Sequence, residues 1–560
     1  MKLHSLSLAT CLTLISSINA LPSPWGAILG GSSSSQDDVV LSLDSKFPNL
    51  FSHEKDGNKH PKSKHHGNHH DHHDILSSII DETDYNSLPE IDTEELQALI
   101  TKHALEHRAK KLFHIAKSSV DEYGHPTRVI GSPGHLNTIK YIAKELKKLG
   151  GYYTVKTQKF DAIDGKVKSF SLLIDGQKPK SLEALSLSPP TPDGRPVHGN
   201  LVLVDNFGCS LGDFPEFAKD NIVLIKRGEC AFGDKSVNAG ISGAKGAIIY
   251  DSNGPLHGTL GTPTGKEVAT VSVSEQDVQD YINALLKDPQ HQFETTLYVD
   301  SYIKNISTLN VIADTVFGDH DNVVALGAHS DSVGEGPGIN DDGSGTISLL
   351  EVAKQLTKFK VNNAVRFAWW AAEEEGLLGS TYYADNLEAK ENSKVRLFMD
   401  YDMMASPNYE YEVYDANNQD HPNGSGNLKQ LYIDWYVSHG LNYTLIPFDG
   451  RSDYVGFIDN GIPAGGIATG AEGVKDEKSK EKFGGKTGEW FDPCYHQLCD
   501  NLDNPDYQAW EINTKLIAHS VAVYAKSFEG FPEREVKEVS ADSKKNNSNN
   551  FMYRGPHLII

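Results

Sequence analysis

Val323-Val324-Ala325-Leu326-Gly327-Ala328-His329-Ser330-Asp331-Ser332 is the stretch that decides the fold. Its first six residues are an apolar run of strand length, and the polar turn that follows brings His329 out at the strand's carboxyl end. Open α/β sheets gather their ligands at that end. Two later segments repeat the pattern. Val365-Arg366-Phe367-Ala368-Trp369-Trp370-Ala371-Ala372 runs into Glu373-Glu374-Glu375-Gly376, and the apolar residues 395–398 lead into Met399-Asp400-Tyr401-Asp402. Between them, Gly336-Pro337-Gly338-Ile339-Asn340-Asp341-Asp342-Gly343-Ser344-Gly345 is a tight turn opening into a periodic apolar run over 347–359, which places Asp341 near a helix N-terminus.

His329, Asp341, Glu374, Asp402 and His496 therefore form a set of histidines and carboxylates without cysteine, the mix that holds two divalent ions sharing one carboxylate. Taken singly, a carboxylate at a strand end is more often a cap or a surface charge. Several strand ends delivering one class of ligand carry more weight than any of them alone. One condition is strict: neighbouring side chains on a strand face opposite ways, so Glu373 and Glu374 can serve one site only if the chain turns there.

The motifs around His329, around Asp341, in Ala372-Glu373-Glu374-Glu375-Gly376 and in Asp492-Pro493-Cys494-Tyr495-His496 resemble the metal-binding motifs of the dizinc aminopeptidases of metallopeptidase family 28, in order, over most of residues 90–531. The resemblance implies an α/β fold, a mixed central β-sheet flanked by helices of the zinc exopeptidase type. It also implies two Zn2+ ions bridged by Asp341, with His329 and Asp402 completing one site and Glu374 and His496 the other. Glu373 would be the general base, Asp331 a carboxylate behind His329 that fixes its tautomer, Tyr495 the donor to the tetrahedral oxyanion, and Arg451 a neighbour of the bound substrate. The expected partners are peptides or proteins with free N-termini. Tyr454 stands where many relatives carry His, and Ala405 where they carry Gly.

Other motifs compete. His103-Ala104-Leu105-Glu106-His107 matches a different zinc-peptidase pattern, but it lies on a charge-rich helix capped by Asp92 and Glu95 and reads as a solvated face. Gly208-Cys209-Ser210-Leu211-Gly212 fits a nucleophile turn, yet Asp213-Phe214-Pro215 follows where a helix is required. Phe483-Gly484-Gly485-Lys486-Thr487 lacks the first glycine of a phosphate loop.

The chain's 560 residues, 38% hydrophobic, suffice for several cores. Residues 1–20 read as a secretory signal peptide, and no later run is long and apolar enough to span a membrane. Residues 21–88, rich in Ser, Asp and His with His65, His66, His69, His70, His72 and His73 packed together, read as a disordered propeptide. The catalytic domain is expected over 90–161 and 301–531. A strand-rich block over 162–300 interrupts it and resembles a protease-associated domain through Lys226-Arg227-Gly228-Glu229-Cys230-Ala231-Phe232; a flexible tail covers 532–560. Of five cysteines, Cys11 leaves with the signal and the others pair as Cys209 with Cys230 and Cys494 with Cys499, the second pair bracketing His496. Sequons at Asn305, Asn423, Asn442 and Asn546 suit glycosylation on the same route. A net charge of −24 argues against nucleic acid or an anionic membrane as partner. The vacuole lumen is the favoured location, through resemblance to vacuolar members of the family, with secretion as the alternative. Two other functions share the fold: a glutaminyl cyclase-like acyltransferase with one zinc, and a non-enzymatic receptor with lost ligands. The complete five-residue set stands against both.

Overall fold

The computed structural model describes residues 82–252, 258–261, 263–448 and 450–534. The expected signal peptide with Cys11, the histidine cluster, Asn546 and the tail past 534 lie outside those residues.

Four strands form a parallel core: Ala464–Ala468, Val395–Tyr401, Asp319–His329 and Asn363–Trp370, in that spatial order. Each is buried over most of its length, Asp319–His329 from Val323 onward, as strands covered on both faces must be, which is why they read as continuous apolar runs rather than alternating ones. Glu412–Tyr414 extends one edge antiparallel to Ala464–Ala468, and Glu294–Thr315 extends the other antiparallel to Asn363–Trp370, so the sheet is mixed. Helices Lys102–Ala116, Pro133–Lys147, Gly343–Leu356 and Tyr507–Lys526 contribute apolar faces to the main core, which includes Leu105, Ile142, Leu350, Trp369, Tyr401 and Trp510.

The inserted block hangs on a two-stranded ribbon. Tyr153–Ile174 pairs antiparallel with Glu294–Thr315 along nearly its whole length, with one register shift between Val167 and Ser169. The expected domain edges at 162 and 300 fall inside these two continuous strands. Backbone pairing carries on across both positions, although the composition changes there. At the far end, Val197–Leu203, Ile222–Lys226, Gly246–Asp251 and Thr270–Ser274 make a small parallel sheet, with helices Phe232–Ile241 and Glu275–Lys287 packed against it. Its own core holds Leu201, Ile222, Leu224, Ile248, Val271 and Ile282.

The last residues of the stretch expected to be a disordered propeptide are ordered. Glu82–Asn86 is a helix, and its Tyr85 is buried, stacked on Phe317 with ring centroids 4.0 Å apart. The Tyr85 hydroxyl donates to Val361 O at 3.1 Å and accepts from Val361 N at 2.8 Å. One aromatic with both hydroxyl bonds made is enough to order a segment whose composition otherwise reads as loop. Tyr85→Ala is expected to lower the free energy of unfolding by about 3 kcal/mol and Tyr85→Phe by about 1 kcal/mol, measured by denaturant titration.

Candidate active site

The sheet delivers its polar residues at one end. His329 is the last residue of its strand, Asp402 follows Val395–Tyr401, and helix Gly343–Leu356 starts between them with Asp342 as its N-cap. The Asp342 carboxylate accepts from Gly345 N at 2.7 Å, His329 N at 3.2 Å and Met403 N at 3.1 Å, tying a helix start to two strand ends. Gly345 is required at that helix start, because a Cβ there would lie 2.0 Å from Tyr401 O.

Beyond Asn363–Trp370 the chain turns at Ala372, whose φ of 61° lies in the left-handed region. That turn meets the condition set by the sequence: Glu373 and Glu374 are adjacent, yet both reach the cluster. Holding a non-glycine residue there costs on the order of 1–2 kcal/mol. His496 has a φ of 57° for a similar purpose, in a loop closed by the Cys494–Cys499 disulfide.

All five ligand-type residues come together. His329 Nε2 lies 3.2 Å from Asp341 Oδ1, and His496 Nε2 lies 2.9 Å from Asp341 Oδ2, so each oxygen of one carboxylate faces a different imidazole. Asp402 Oδ1 is 3.7 Å from His329 Nε2, and Glu374 Oε2 is 3.2 Å from His496 Nε2. Glu373 Oε2 stands 3.8 Å from His329 Nε2. His329 Nε2, Glu374 Oε1 and Asp402 Oδ1 are buried and make no hydrogen bond. Leaving each such atom unsatisfied costs about 1–3 kcal/mol, a cost that coordination to a cation removes. A donor set of two imidazoles and three carboxylates suits zinc or a similar divalent ion. Asp342 also lies within ligand distance of His329 and Asp402, but its oxygens are already taken by backbone N–H groups.

The electrostatics agree. Burial pushes the Glu373 carboxyl well above the usual carboxylate range; His329 opposes this, and Glu374, Asp402 and Asp453 add to it. Burial would also raise Asp341, but the contacts to His329 and His496 hold it below that range. So many buried acids in one place call for added positive charge.

Asp331 acts on two neighbours. Its carboxylate accepts from Glu373 N at 3.4 Å and Glu374 N at 3.3 Å, and it stands 3.8 Å from His329 Nδ1. The Tyr495 ring is buried 3.8 Å from the His496 ring, and burial, with Asp341 and Glu472 nearby, raises its hydroxyl well above its ordinary value, keeping it a donor. Arg451 Nη2 bonds both oxygens of Glu472, at 2.9 and 3.1 Å.

Several supports have no sequence signature of their own. Arg128 is fully buried and donates to Pro337 O at 2.9 Å and to Ser330 O and Gly338 O. Its charge sits among Asp331, Asp342, Asp500 and Asp341. Asp500 accepts from Asn340 N at 2.9 Å and Asp341 N at 3.1 Å, Asp492 accepts from the Asn340 side chain at 2.7 Å, and Ser452 donates to Asp402 Oδ2 at 3.0 Å. Of these acids, Asp492 alone lies in the motif that ends in His496; Asp500 carries no sequence signal.

The remaining expected residues lie elsewhere. Cys209 and Cys230 are joined in the inserted block, and Asn305, Asn423 and Asn442 are exposed. Tyr454 stacks on Phe448 at 3.9 Å and its hydroxyl accepts from Gly450 N; Ala405 is buried, and its N–H donates to Asn340 Oδ1. Glu106 of the His103–His107 motif sits 3.9 Å from Lys102 on an exposed face, and the motif joins no ligand cluster among the described residues.

Residues 310–521 match Peptidase family M28, and residues 197–281 match the PA domain. Aminopeptidase Y of Saccharomyces cerevisiae is 54% identical over 491 residues, spanning 85% of this chain and 88% of that protein. Leucine aminopeptidase 2 of Trichophyton equinum is 42% identical, spanning 80% and 88%. Among solved structures, an aminopeptidase from an Aneurinibacillus species matches with a TM-score of 0.64 at 27% identity, over 80% of this chain and 99% of the other. A zinc aminopeptidase from Bacillus subtilis matches with a TM-score of 0.56 at 26% identity, over 78% and 98%.

Because the Cys494–Cys499 bond closes the loop that carries His496, Cys494→Ser with Cys499→Ser is expected to weaken zinc retention by about tenfold or more, read by equilibrium dialysis. Cys209→Ser with Cys230→Ser is expected to leave it unchanged.

Proposed function

This chain belongs to peptidase family M28, and from that premise we propose that it is a zinc-dependent aminopeptidase, releasing the first residue of peptides and proteins whose N-terminus is unblocked. The observation that carries the reading is Asp341, which offers one oxygen to each of two histidines 3.2 and 2.9 Å away. That is the arrangement needed to share one carboxylate between two ions. His329 and Asp402 would complete one site, and Glu374 and His496 the other. Two zinc ions held there would supply Lewis acidity to the scissile carbonyl and to the attacking water.

The rest of the chemistry falls to side chains. Glu373 accepts a proton from the attacking water and returns it to the leaving amine, one carboxylate serving as base and then as acid. Its backbone N–H bonds Asp331, which fixes the direction of the side chain. The Tyr495 hydroxyl donates to the substrate oxygen as negative charge develops, the point at which a fixed donor has most effect. Arg451, held by Glu472, borders the substrate. The surrounding carboxylates hold the substrate's free α-ammonium, so a blocked N-terminus leaves them unpaired and is rejected.

The catalytic unit is assigned to residues 90–161 and 301–531, and the protease-associated insert on its ribbon to 162–300, where it shapes access to the site. The two disulfides support passage through an oxidising compartment, a vacuole lumen or the cell exterior. The intact ligand set speaks against a one-zinc acyltransferase and against a receptor.

Glu373→Gln is expected to lower kcat by about 10²–10⁴-fold while zinc content stays at that of the parent, measured by amino-acid release alongside metal analysis. Release from an unblocked peptide is expected to stop with a zinc chelator and to be absent for the N-acetylated peptide. Chelator-insensitive release, or equal rates on both peptides, would sink the proposal.

A further inference from the structure

The side of the catalytic domain formed by helices Lys102–Ala116, Pro133–Lys147 and Gly343–Leu356 holds a cavity of about 340 Å³. Ala104, His107, Arg108 and Lys111 line one wall at helical spacing, so this face of the first helix, including His107 of the motif that the peptidase site leaves unused, has a place in the structure. None of the proposed zinc ligands touches the cavity.

Its charge is opposite to that of the molecule. Arg108, Lys111, Lys148 and Lys354 meet two carboxylates, Glu145 and Glu351, in a chain whose net charge is −24. Three of the cations converge on Glu145: Lys148 at 2.5 Å, Arg108 at 3.6 Å and Lys111 at 3.7 Å. One carboxylate cannot neutralise three cations, and Glu351 is already engaged by Arg108 Nε at 2.7 Å and by Gln355. Arg108, with 9% of its side chain exposed, spends Nε on Glu351 and Nη1 on the Tyr141 hydroxyl, while its Nη2 makes no hydrogen bond to any described residue. The lysines are about half exposed, at 46%, 54% and 49%, so their ammonium groups can swing onto an entering ligand.

We propose that this cavity is a binding site for a compact organic dianion, a phosphate monoester or a molecule with two acidic groups. Arg108 Nη2 and the Tyr141 hydroxyl are the fixed donors at its base, and Lys111, Lys148 and Lys354 close over the charge at its mouth. A buried arginine whose other donors are already fixed gives up little conformational entropy on binding, and charge-assisted bonds to it are the strong kind. The site is separate from the peptidase chemistry and does not depend on that reading.

The test is isothermal titration of the metal-loaded full chain with glucose 6-phosphate and with 1,3-benzenedisulfonate at matched ionic strength. Dissociation constants below about 1 mM are expected. Lys111→Ala, Lys148→Ala and Lys354→Ala together are expected to weaken binding by about tenfold or more, with peptidase rates unchanged. Lys110→Ala, Lys117→Ala and Lys147→Ala, which remove the same charge outside the cavity, are expected to leave binding intact. The three cavity lysines changed to Arg should retain it, which guards against a folding artefact. Binding of the phosphate ester alone would narrow the class to phosphates. No binding of either probe by the parent chain, or equal binding by the two alanine triples, would overturn the proposal.

Discussion

The Asp342 carboxylate is the constraint on which the rest of the site depends. It caps helix Gly343–Leu356 and at the same time accepts from the backbone of His329 and Met403, at 3.2 and 3.1 Å. A strand end, a helix start and a second strand end are thereby fixed to one buried group. Of the proposed ligands, His329 is itself one of these anchored residues, and Asp341 and Asp402 adjoin Asp342 and Met403. A carboxylate at a helix N-terminus is favoured by the helix dipole, so here one group both caps the helix and positions the ligands.

Around it stands an excess of buried acid, partly balanced by Arg128, which bonds the carbonyls of Ser330, Pro337 and Gly338. Burying an unpaired carboxylate is costly. The structure accommodates that cost because backbone N–H groups from Asn340, Asp341, Glu373 and Glu374 reach the oxygens of Asp500 and Asp331. Among the ligand-type residues His329 Nε2, Glu374 Oε1 and Asp402 Oδ1 are left without hydrogen bonds, and among the buried acids around them so are Glu375 Oε2, Asp400 Oδ1 and both oxygens of Asp453. Asp331 and Asp500 thus hold the backbone on which Glu373, Glu374 and Asp341 stand, the kind of support that fixes the geometry of metal ligands.

The ribbon Tyr153–Ile174 and Glu294–Thr315 joins the inserted domain to this centre without a flexible linker. Asp164 on the ribbon is buried and bonded to Lys304 at 2.9 Å, and a Cβ on Gly131 would lie 3.2 Å from Ile306, so the ribbon packs closely on the loop that leads from Arg128. The insert is therefore held by the same part of the catalytic domain that supplies the buried arginine.

The sequence by itself determined the apolar strands and turn residues and singled out the five proposed ligands, because those depend on local pattern: buried parallel strands read as unbroken apolar runs, and polar residues follow them at one end. It also determined that Glu373 and Glu374 needed a turn between strand and helix. Only the tertiary structure decided that the turn is at Ala372, since no residue type there announces a left-handed backbone. Arg128, Asp342 and Asp500 were equally silent, because a buried polar residue is recognised by the partners that satisfy it, and those partners lie up to hundreds of residues away. The place of Tyr85 was decided the same way, by its contacts with Phe317 and Val361 across the fold.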